Sequence, residues 1–105
     1  MDVPPAIVID GDTIRIVAER IRLIDIDAPE MRDGARCDAE RNLAEVAKRE
    51  LAKIIAGKPL DIDRRGKDRF NRTLAYIRVS GADVGEMLIR AHVAVKWEGR
   101  RHERR

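Results

Sequence analysis

The sequence predicts an α+β domain, mainly β, in which a five-stranded barrel carries a helix after its third strand. Three observations support this prediction. Short β-branched runs bounded by turn residues occupy 8–26, an amphipathic helical pattern covers 39–56, and two more strand-like runs occur at 60–63 and 73–79. A second, shorter helical pattern follows the fifth strand. The order is three strands, a helix, two strands and a helix.

The N-terminal third of the chain predicts three consecutive strands. The runs at 8–9, 14–17 and 21–26 are rich in Ile, Val and Leu, which favour a pleated, half-buried surface. Asp10-Gly11 and the segment 18–20 supply the turns between them. We therefore expect an antiparallel meander in this part of the chain.

The segment 39–56 predicts a helix with one buried face. Its apolar residues recur at three- and four-residue steps and are Leu43, Val46, Ala47, Leu51, Ile54 and Ile55. Asp38 is placed to cap the first turn. Gly57 and Pro59 follow in the order expected after a helix C-terminus.

The C-terminal half predicts a hairpin and then a short helix. The strands at 60–63 and 73–79 flank a polar, basic turn region at 64–71, and Asp83 begins a helical pattern. The segment 92–97 is apolar-rich and predicts a last short strand. Five strands with a helix after the third match the OB fold, whose face and loops commonly bind oligonucleotides. A small antiparallel sheet packed on two helices is the alternative.

Length and charge predict one small domain with a basic end. The 105 residues suffice for a single core, so we assign 1–105 to one domain. The net charge of +3 arises entirely from 96–105. The basic tail, about 98–105, either attracts polyanions or is simply a soluble terminus. Cys37 is the only cysteine, so an internal disulfide is excluded.

No apolar run approaches the roughly 20 residues of a membrane helix, and no basic-then-apolar leader is present. We expect no membrane association. A secreted or periplasmic location is expected if a leader has been removed.

The first 30 residues concentrate charge in an otherwise apolar region. Five acids stand out, namely Asp10, Asp12, Asp25, Asp27 and Glu30, and two isolated arginines, Arg15 and Arg22, lie within strand-like runs. A charge in a half-buried strand costs free energy unless it is paired or coordinated. Acids at two strand ends with an arginine between them indicate a metal and phosphate site, whereas Asp10-Gly11-Asp12 alone would indicate only a hairpin turn.

Three blocks of sequence resemble the staphylococcal nuclease (thermonuclease) family. They are VIDGDT at 8–13, RLI at 22–24 with DAPE at 27–30, and DRFNRTLAYI at 68–77. They occur in the family's order, and the resemblance extends over about 6–97. It implies the OB fold and a Ca²⁺-dependent endo- and exonuclease. Such an enzyme acts on DNA and RNA, preferably single-stranded, and leaves 3′-phosphate ends.

The resemblance also implies roles for individual residues. Asp12, Asp27 and the backbone carbonyl of Ala28 would hold Ca²⁺, which accepts hard oxygen ligands. Arg22 and Arg72 would clamp the phosphate, and Glu30 would orient or deprotonate the attacking water.

From the residues alone, each of the three proposed catalytic residues has a simpler interpretation. Arg22 is also explained as a strand residue that forms an ion pair with Asp25 or Glu19. Arg72 is also explained as an ordinary basic loop residue, and Glu30 as an exposed loop acid. Taken with the acids, the functional interpretation is favoured.

The expected substrate-binding residues depart from the family pattern. Arg69-Phe70-Asn71 stands where well-known members have Lys-Tyr-Gly, so the ring and the charge are kept but the tyrosine hydroxyl is lost. Trp97 would stack on a base, or it belongs to the core. Asp10 and Thr13 would contact the metal ligands rather than the metal, and would hold those ligands in position.

Two further functions remain open at this point. One is a non-catalytic OB-fold module that binds nucleic acid or protein, and the other is a domain in which the metal has a structural role. A structural metal would explain the presence of the acids but not that of the paired arginines. We expect the protein to be a monomer.

Overall fold

We describe residues 5–29 and 38–97 of a computed structural model of the chain, with the backbone alone at 38–40. This part contains two helices and eight strands. In chain order they are β1 (Ala6–Asp10), β2 (Thr13–Ile16), β3 (Glu19–Leu23), β4 (Ile26–Asp27), α1 (Asp38–Ile55), β5 (Asp61–Lys67), β6 (Thr73–Val79), β7 (Ala82–Asp83), α2 (Val84–Arg90) and β8 (Val95–Lys96). The fold is α+β, as predicted, but eight strands replace the expected five.

The main sheet is mixed, with the strand order β1-β2-β3-β6-β5 and β7 paired to β6. The pairs β1–β2, β2–β3 and β5–β6 are antiparallel, whereas β3 and β6 are parallel. Parallel neighbours require a long crossover. Here α1 and β5 lie within that crossover. The purely antiparallel alternative is therefore wrong.

The sheet has one core face and one outer face. In β6, alternate residues are buried, as Ala75, Ile77 and Val79 show, and β3 buries Ile21 and Leu23 in the same register. Because side chains alternate across a strand, the even-numbered positions of β3 point to the opposite side. We call that side the outer face.

Helix α1 packs on the core through small and branched side chains. The buried members of this face are Ala44, Ala47, Leu51, Ile54 and Ile55. The prediction that Leu43 and Val46 belong to it is wrong, because 59% and 43% of their surfaces are exposed. Alanine rather than leucine at the contact lets the helix approach the strands closely. Gly57, with a φ of 67°, follows the helix end as predicted.

Several predicted boundaries need correction, including the turn expected at 18–20, because Glu19 and Arg20 belong to β3. The strand expected at 21–26 ends at Leu23, because Asp25 has a φ of 71° and turns the chain before β4 begins. The strand expected at 60–63 instead runs from Asp61 to Lys67, through much of the region assigned to a turn. It lies at the edge of the sheet, where polar side chains are tolerated.

The C-terminal elements agree with the sequence prediction. Asp83 caps α2, since its carboxylate accepts a hydrogen bond of 3.1 Å from the Glu86 amide. Strand β8 lies within the predicted segment 92–97 and pairs with β4, so that Ile26 faces Lys96 and Asp27 faces Val95. The cap predicted for Asp38 falls on a side chain outside the described residues. No helix in the described part is long and apolar enough to cross a membrane.

Candidate active site

The turn between β1 and β2 presents Asp12 beneath the surface. Only 1% of the surface of Asp12 is exposed. The preceding Gly11 lies against α1 so closely that a Cβ there would be 2.6 Å from the Ala47 Cβ and 2.9 Å from the Ala28 Cβ. Only glycine fits this contact without displacing a neighbour. Gly11 therefore allows the helix to support the turn that holds Asp12.

Both carboxylate oxygens of Asp12 are engaged. Oδ1 accepts a hydrogen bond of 3.0 Å from the Thr13 hydroxyl, and Oδ2 accepts one of 3.0 Å from the Ala28 amide. Oδ2 also lies 3.4 Å from Nη2 of Arg22. These contacts fix the orientation of a buried charge, which is the condition for tolerating it.

Arg22 lies between two carboxylates. Its Nη1 donates to the carbonyls of Leu23, at 2.6 Å, and Ile26, at 3.0 Å. Its Nη2 is 3.4 Å from Asp12 Oδ2 and 3.4 Å from Asp27 Oδ1. The side chain is 14% exposed, so the guanidinium is held in place by the protein rather than extended into solvent.

The simpler partners considered for Arg22 are occupied elsewhere. Glu19 binds Arg64 through two hydrogen bonds of 2.9 and 2.8 Å. Asp25 accepts a hydrogen bond of 3.0 Å from the Tyr76 hydroxyl, which raises the pKa of Tyr76. We call Asp12, Arg22 and Asp27 the strand-end cluster.

Asp27 and Trp97 form the open side of this cluster. The Asp27 side chain is 51% exposed, and its strand is held by β8. The Trp97 ring centroid lies 5.7 Å from Cζ of Arg22, within the range of a cation–π contact. The Trp97 amide donates to the Asp25 carbonyl at 2.8 Å. Trp97 is 36% exposed, so the ring borders the site and is not part of the core.

A second group of predicted residues lies in the β5–β6 connection, and we call residues 68–72 the loop cluster. Asp68 organises it. Its Oδ1 accepts hydrogen bonds from the Phe70 and Arg72 amides, both at 2.9 Å, and its Oδ2 accepts one of 2.8 Å from Arg72 Nε. Burial acts to raise the pKa of Asp68, but the hydrogen bonds from Arg72 and Phe70 outweigh it and the pKa is lowered.

Phe70 is the exposed part of the loop cluster. The residue is 56% exposed, and its ring lies 5.1 Å from Cζ of Arg69 and 5.5 Å from Cζ of Arg72. The Phe70 carbonyl accepts a hydrogen bond from Arg20 on β3. An aromatic face flanked by two guanidinium groups suits a base and its phosphate.

The parallel pairing of β3 and β6 sets the relation between the two clusters. Ile21 pairs with Thr73 and Arg22 with Leu74, so Arg72 precedes the paired segment of β6 by one residue. Arg22 on β3 and Arg72, just before β6, thus lie on neighbouring segments of the sheet, offset by two residues. The fold brings both arginines towards one part of the sheet, and within the described residues no hydrogen bond joins them.

The remaining predicted residues are accounted for as follows. Asp10 is half-buried and pairs with Thr13 across β1–β2. At Ala28 the contact seen is the amide bonding to Asp12. Glu30 lies outside the described residues. The sequence predicted no role for Asp68, although an Asp whose carboxylate accepts a hydrogen bond from the amide two residues later is a common turn signal.

The carboxylate oxygens of Asp12 and Asp27 suit a hard cation, but they would fill only part of its coordination shell. Two carboxylates converge on one cationic group, and oxygen ligands of this kind are those that Ca²⁺ accepts. Within 5–29 and 38–97 no group of three or more His, Cys, Asp or Glu side chains is placed to hold a metal. The strand-end cluster would therefore leave most coordination positions to backbone, water or substrate oxygens.

The sequence profile of the staphylococcal nuclease homologue family matches residues 20–105. The chain belongs to this family. The match begins within β3 and includes Arg22, Asp27 and the loop cluster. The family assignment made from the three sequence blocks is confirmed.

The chain is also similar to curated relatives, and one of the three given below is named an endonuclease. The chain is 35% identical over 77 residues to protein ParB of Escherichia coli, with 70% of this chain and 39% of the relative covered. It is 36% identical over 96 residues to the succinoglycan biosynthesis protein ExoI of Rhizobium meliloti (strain 1021), with 86% and 49% covered. It is 33% identical over 97 residues to an uncharacterized endonuclease of Escherichia coli O157:H7, with 87% and 58% covered. The chain thus spans roughly two fifths to three fifths of these relatives.

Proposed function

We propose that this protein is a Ca²⁺-dependent nuclease that hydrolyses phosphodiester bonds of single-stranded DNA and RNA. It acts as an endo- and exonuclease and leaves 3′-phosphate ends. One observation carries the proposal, namely that the carboxylates of Asp12 and Asp27 both lie 3.4 Å from the same nitrogen of Arg22. Acids and a phosphate-binding group are thereby held at one point of the surface.

Three further findings support the proposal. A relative with 33% identity is named an endonuclease, and the family is that of nuclease homologues. The strand order β1-β2-β3-β6-β5 with parallel β3 and β6 supports assignment to the OB fold. The exposed rings of Phe70 and Trp97 support a preference for single strands, whose bases are free to stack.

We also propose that the protein acts as a monomer. Size-exclusion chromatography with light scattering tests this proposal.

The arginines would supply most of the catalysis. Phosphodiester cleavage places extra negative charge on the phosphoryl oxygens, and preorganised guanidinium groups stabilise it. Arg22 is fixed by two backbone carbonyls, and Arg72 by Asp68, so neither must reorganise when the charge develops. Glu30 would accept a proton from the attacking water. A Ca²⁺ ion held by Asp12, Asp27 and the Ala28 carbonyl would supply Lewis-acid polarisation of the phosphate.

The deciding experiment is cleavage of heat-denatured DNA with Ca²⁺ and with a chelator. Wild type, Glu30→Gln and Arg72→Ala are compared, and Lys53→Ala serves as a control because Lys53 is exposed on α1. We expect cleavage only with Ca²⁺, and a loss of at least about 100-fold in both site variants. End-labelling of the products tests for 3′-phosphates. Cleavage that persists in the chelator would exclude the Ca²⁺ requirement.

A second candidate is a non-catalytic module that binds nucleic acid or protein. The observation favouring it is that the Arg22 guanidinium already neutralises both carboxylates. Wild-type protein that binds a labelled oligonucleotide but does not cut it at any Ca²⁺ concentration would support this candidate over the nuclease.

A further inference from the structure

Two arginines face each other on the outer face of the sheet. Arg15 on β2 pairs directly with Arg20 on β3, and both residues are exposed. Like charges directly opposite each other destabilise an antiparallel pair. An arrangement of this kind is favourable when an anion bridges the two groups.

Within the described residues, neither arginine has a carboxylate partner. The Arg15 side chain forms no hydrogen bond or ion pair there, and Arg20 bonds only to the Phe70 carbonyl. Two other arginines of the sheet are neutralised, since Arg64 pairs with Glu19 at 2.8 Å and Arg65 with Asp63 at 2.8 Å. Arg15 and Arg20 differ from these two in that they lie directly opposite each other without a carboxylate between them.

The pair adjoins both clusters of the candidate active site. Arg20 lies two residues before Arg22 on β3, a separation of about 6.6 Å along the strand on the same face. It also joins the loop cluster through the Phe70 carbonyl. Successive phosphates of an extended single strand have a comparable separation. Across β2, Ile7 faces Arg15 and is 48% exposed, which adds an apolar surface beyond the charges.

We propose that Arg15 and Arg20 form a second phosphate-binding site, which holds the phosphodiester adjoining the one at Arg22. A single strand of nucleic acid would then run from β3 across β2 towards Ile7. Guanidinium groups suit this role because they remain charged and donate two parallel hydrogen bonds to phosphate. The inference deepens the proposed nuclease function and rests on it for the position of the cleaved bond.

The test is binding of a fluorescent 12-nucleotide oligo(dT) in chelator, where turnover does not interfere. The double variant Arg15→Ala/Arg20→Ala is compared with Arg49→Ala/Lys53→Ala, which removes the same charge from exposed positions of α1. We expect affinity to fall about ten-fold in the first variant. The slope of log affinity against log salt should fall by about 0.7, because one phosphate contact on a single strand contributes about 0.7. The control should show a much smaller change in both.

A second measurement separates this site from the chemistry. Hydrolysis of a nitrophenyl phosphodiester of one nucleoside requires only the central phosphate site. We expect Arg15→Ala, which leaves the hydrogen bond from Arg20 to the loop cluster in place, to retain its kcat/KM on this ester while its KM for the oligonucleotide rises. Equal effects of the two double variants on binding and salt slope, or no binding by wild type, would overturn the second site. Binding as expected without any cleavage would instead overturn the nuclease function and leave the second site standing.

Discussion

The strand-end cluster and the loop cluster hold their arginines in different ways. Asp12 lies in the turn between β1 and β2, Arg22 on β3 and Asp27 on β4. Helix α1 packs against the turn, and β8 pairs with β4. Arg72 is held by one carboxylate, that of Asp68, four residues away in the same loop. The first cluster therefore depends on the tertiary fold, whereas the second is organised almost entirely by local hydrogen bonds.

This difference separates stability from function. Damage to the strand-end cluster should affect both, because Asp12 is part of the packed interior. Damage to the loop cluster should affect activity while the fold persists. Three predictions test this distinction, beginning with the largest expected effect, and a fourth concerns an ion pair outside both clusters.

Asp12→Ala should destabilise the protein by about 3 kcal/mol and abolish activity. It removes the acceptor for the Thr13 hydroxyl and the Ala28 amide and leaves Arg22 without one of its two carboxylates. Urea denaturation measures the change. Asp27→Ala is the matched control, since its half-exposed carboxylate should contribute less than about 1 kcal/mol to stability while still being needed for activity. Equal losses of stability would contradict the distinction within this cluster.

Gly11→Ala should destabilise the protein by about 1–3 kcal/mol, because the new Cβ overlaps that of Ala47 on α1. Ala47→Gly removes the nearer of the two overlapping atoms, leaves the Ala28 Cβ at 2.9 Å, and by itself costs about 1 kcal/mol in helix propensity. Thermal or urea unfolding of both single variants and of the double variant completes the cycle. We expect the double variant to lose less stability than the sum of the single losses. Strict additivity would show that the close approach to Ala47 is not the cause.

Asp68→Asn should reduce kcat about ten-fold while unfolding free energy falls by only about 1 kcal/mol. The amide keeps a similar shape but lacks the charge that holds Arg72 Nε at 2.8 Å. Steady-state kinetics on single-stranded DNA and urea denaturation provide the two measurements. A variant that loses stability but keeps kcat would show that the loop supports the fold and not the chemistry.

Glu19 should contribute a small, pH-dependent share of stability. Two hydrogen bonds from Arg64, opposed by partial burial and aided by one from Thr73, lower the pKa of Glu19 from 4.5 to about 2. Because the folded-state pKa is the lower one, this contribution is complete above about pH 4.5 and is lost as the pH falls towards 2. Unfolding free energies of wild type and Glu19→Gln should therefore converge over this range. A constant difference between them would contradict the assignment.

Apolar patterns predicted the helices and the approximate positions of the longer strands. They failed where one residue reverses the chain, as at Asp25, because a run of apolar residues does not show a left-handed backbone. They also failed at Leu43 and Val46, because a helical period fixes a stripe but not which of two adjoining stripes faces the core.

The candidate site was predictable only as a set of residue types. The sequence gives no sign that Arg22 bonds to Asp12 and Asp27 in preference to Asp25 or Glu19, since this choice depends on strand register and on the parallel β3–β6 pairing. Asp68 was overlooked because its role is local and leaves no periodic pattern.

The pairing of β4 with β8 also has a consequence for the timing of biosynthesis. Asp27 is synthesised well before Val95, which lies opposite it across the two strands. A ribosome-bound chain that has not yet released this segment lacks the pairing that holds Asp27 and the indole beside Arg22. The strand-end cluster therefore reaches its final geometry only after the segment of β8 and Trp97 has left the ribosome, however much chain precedes or follows it.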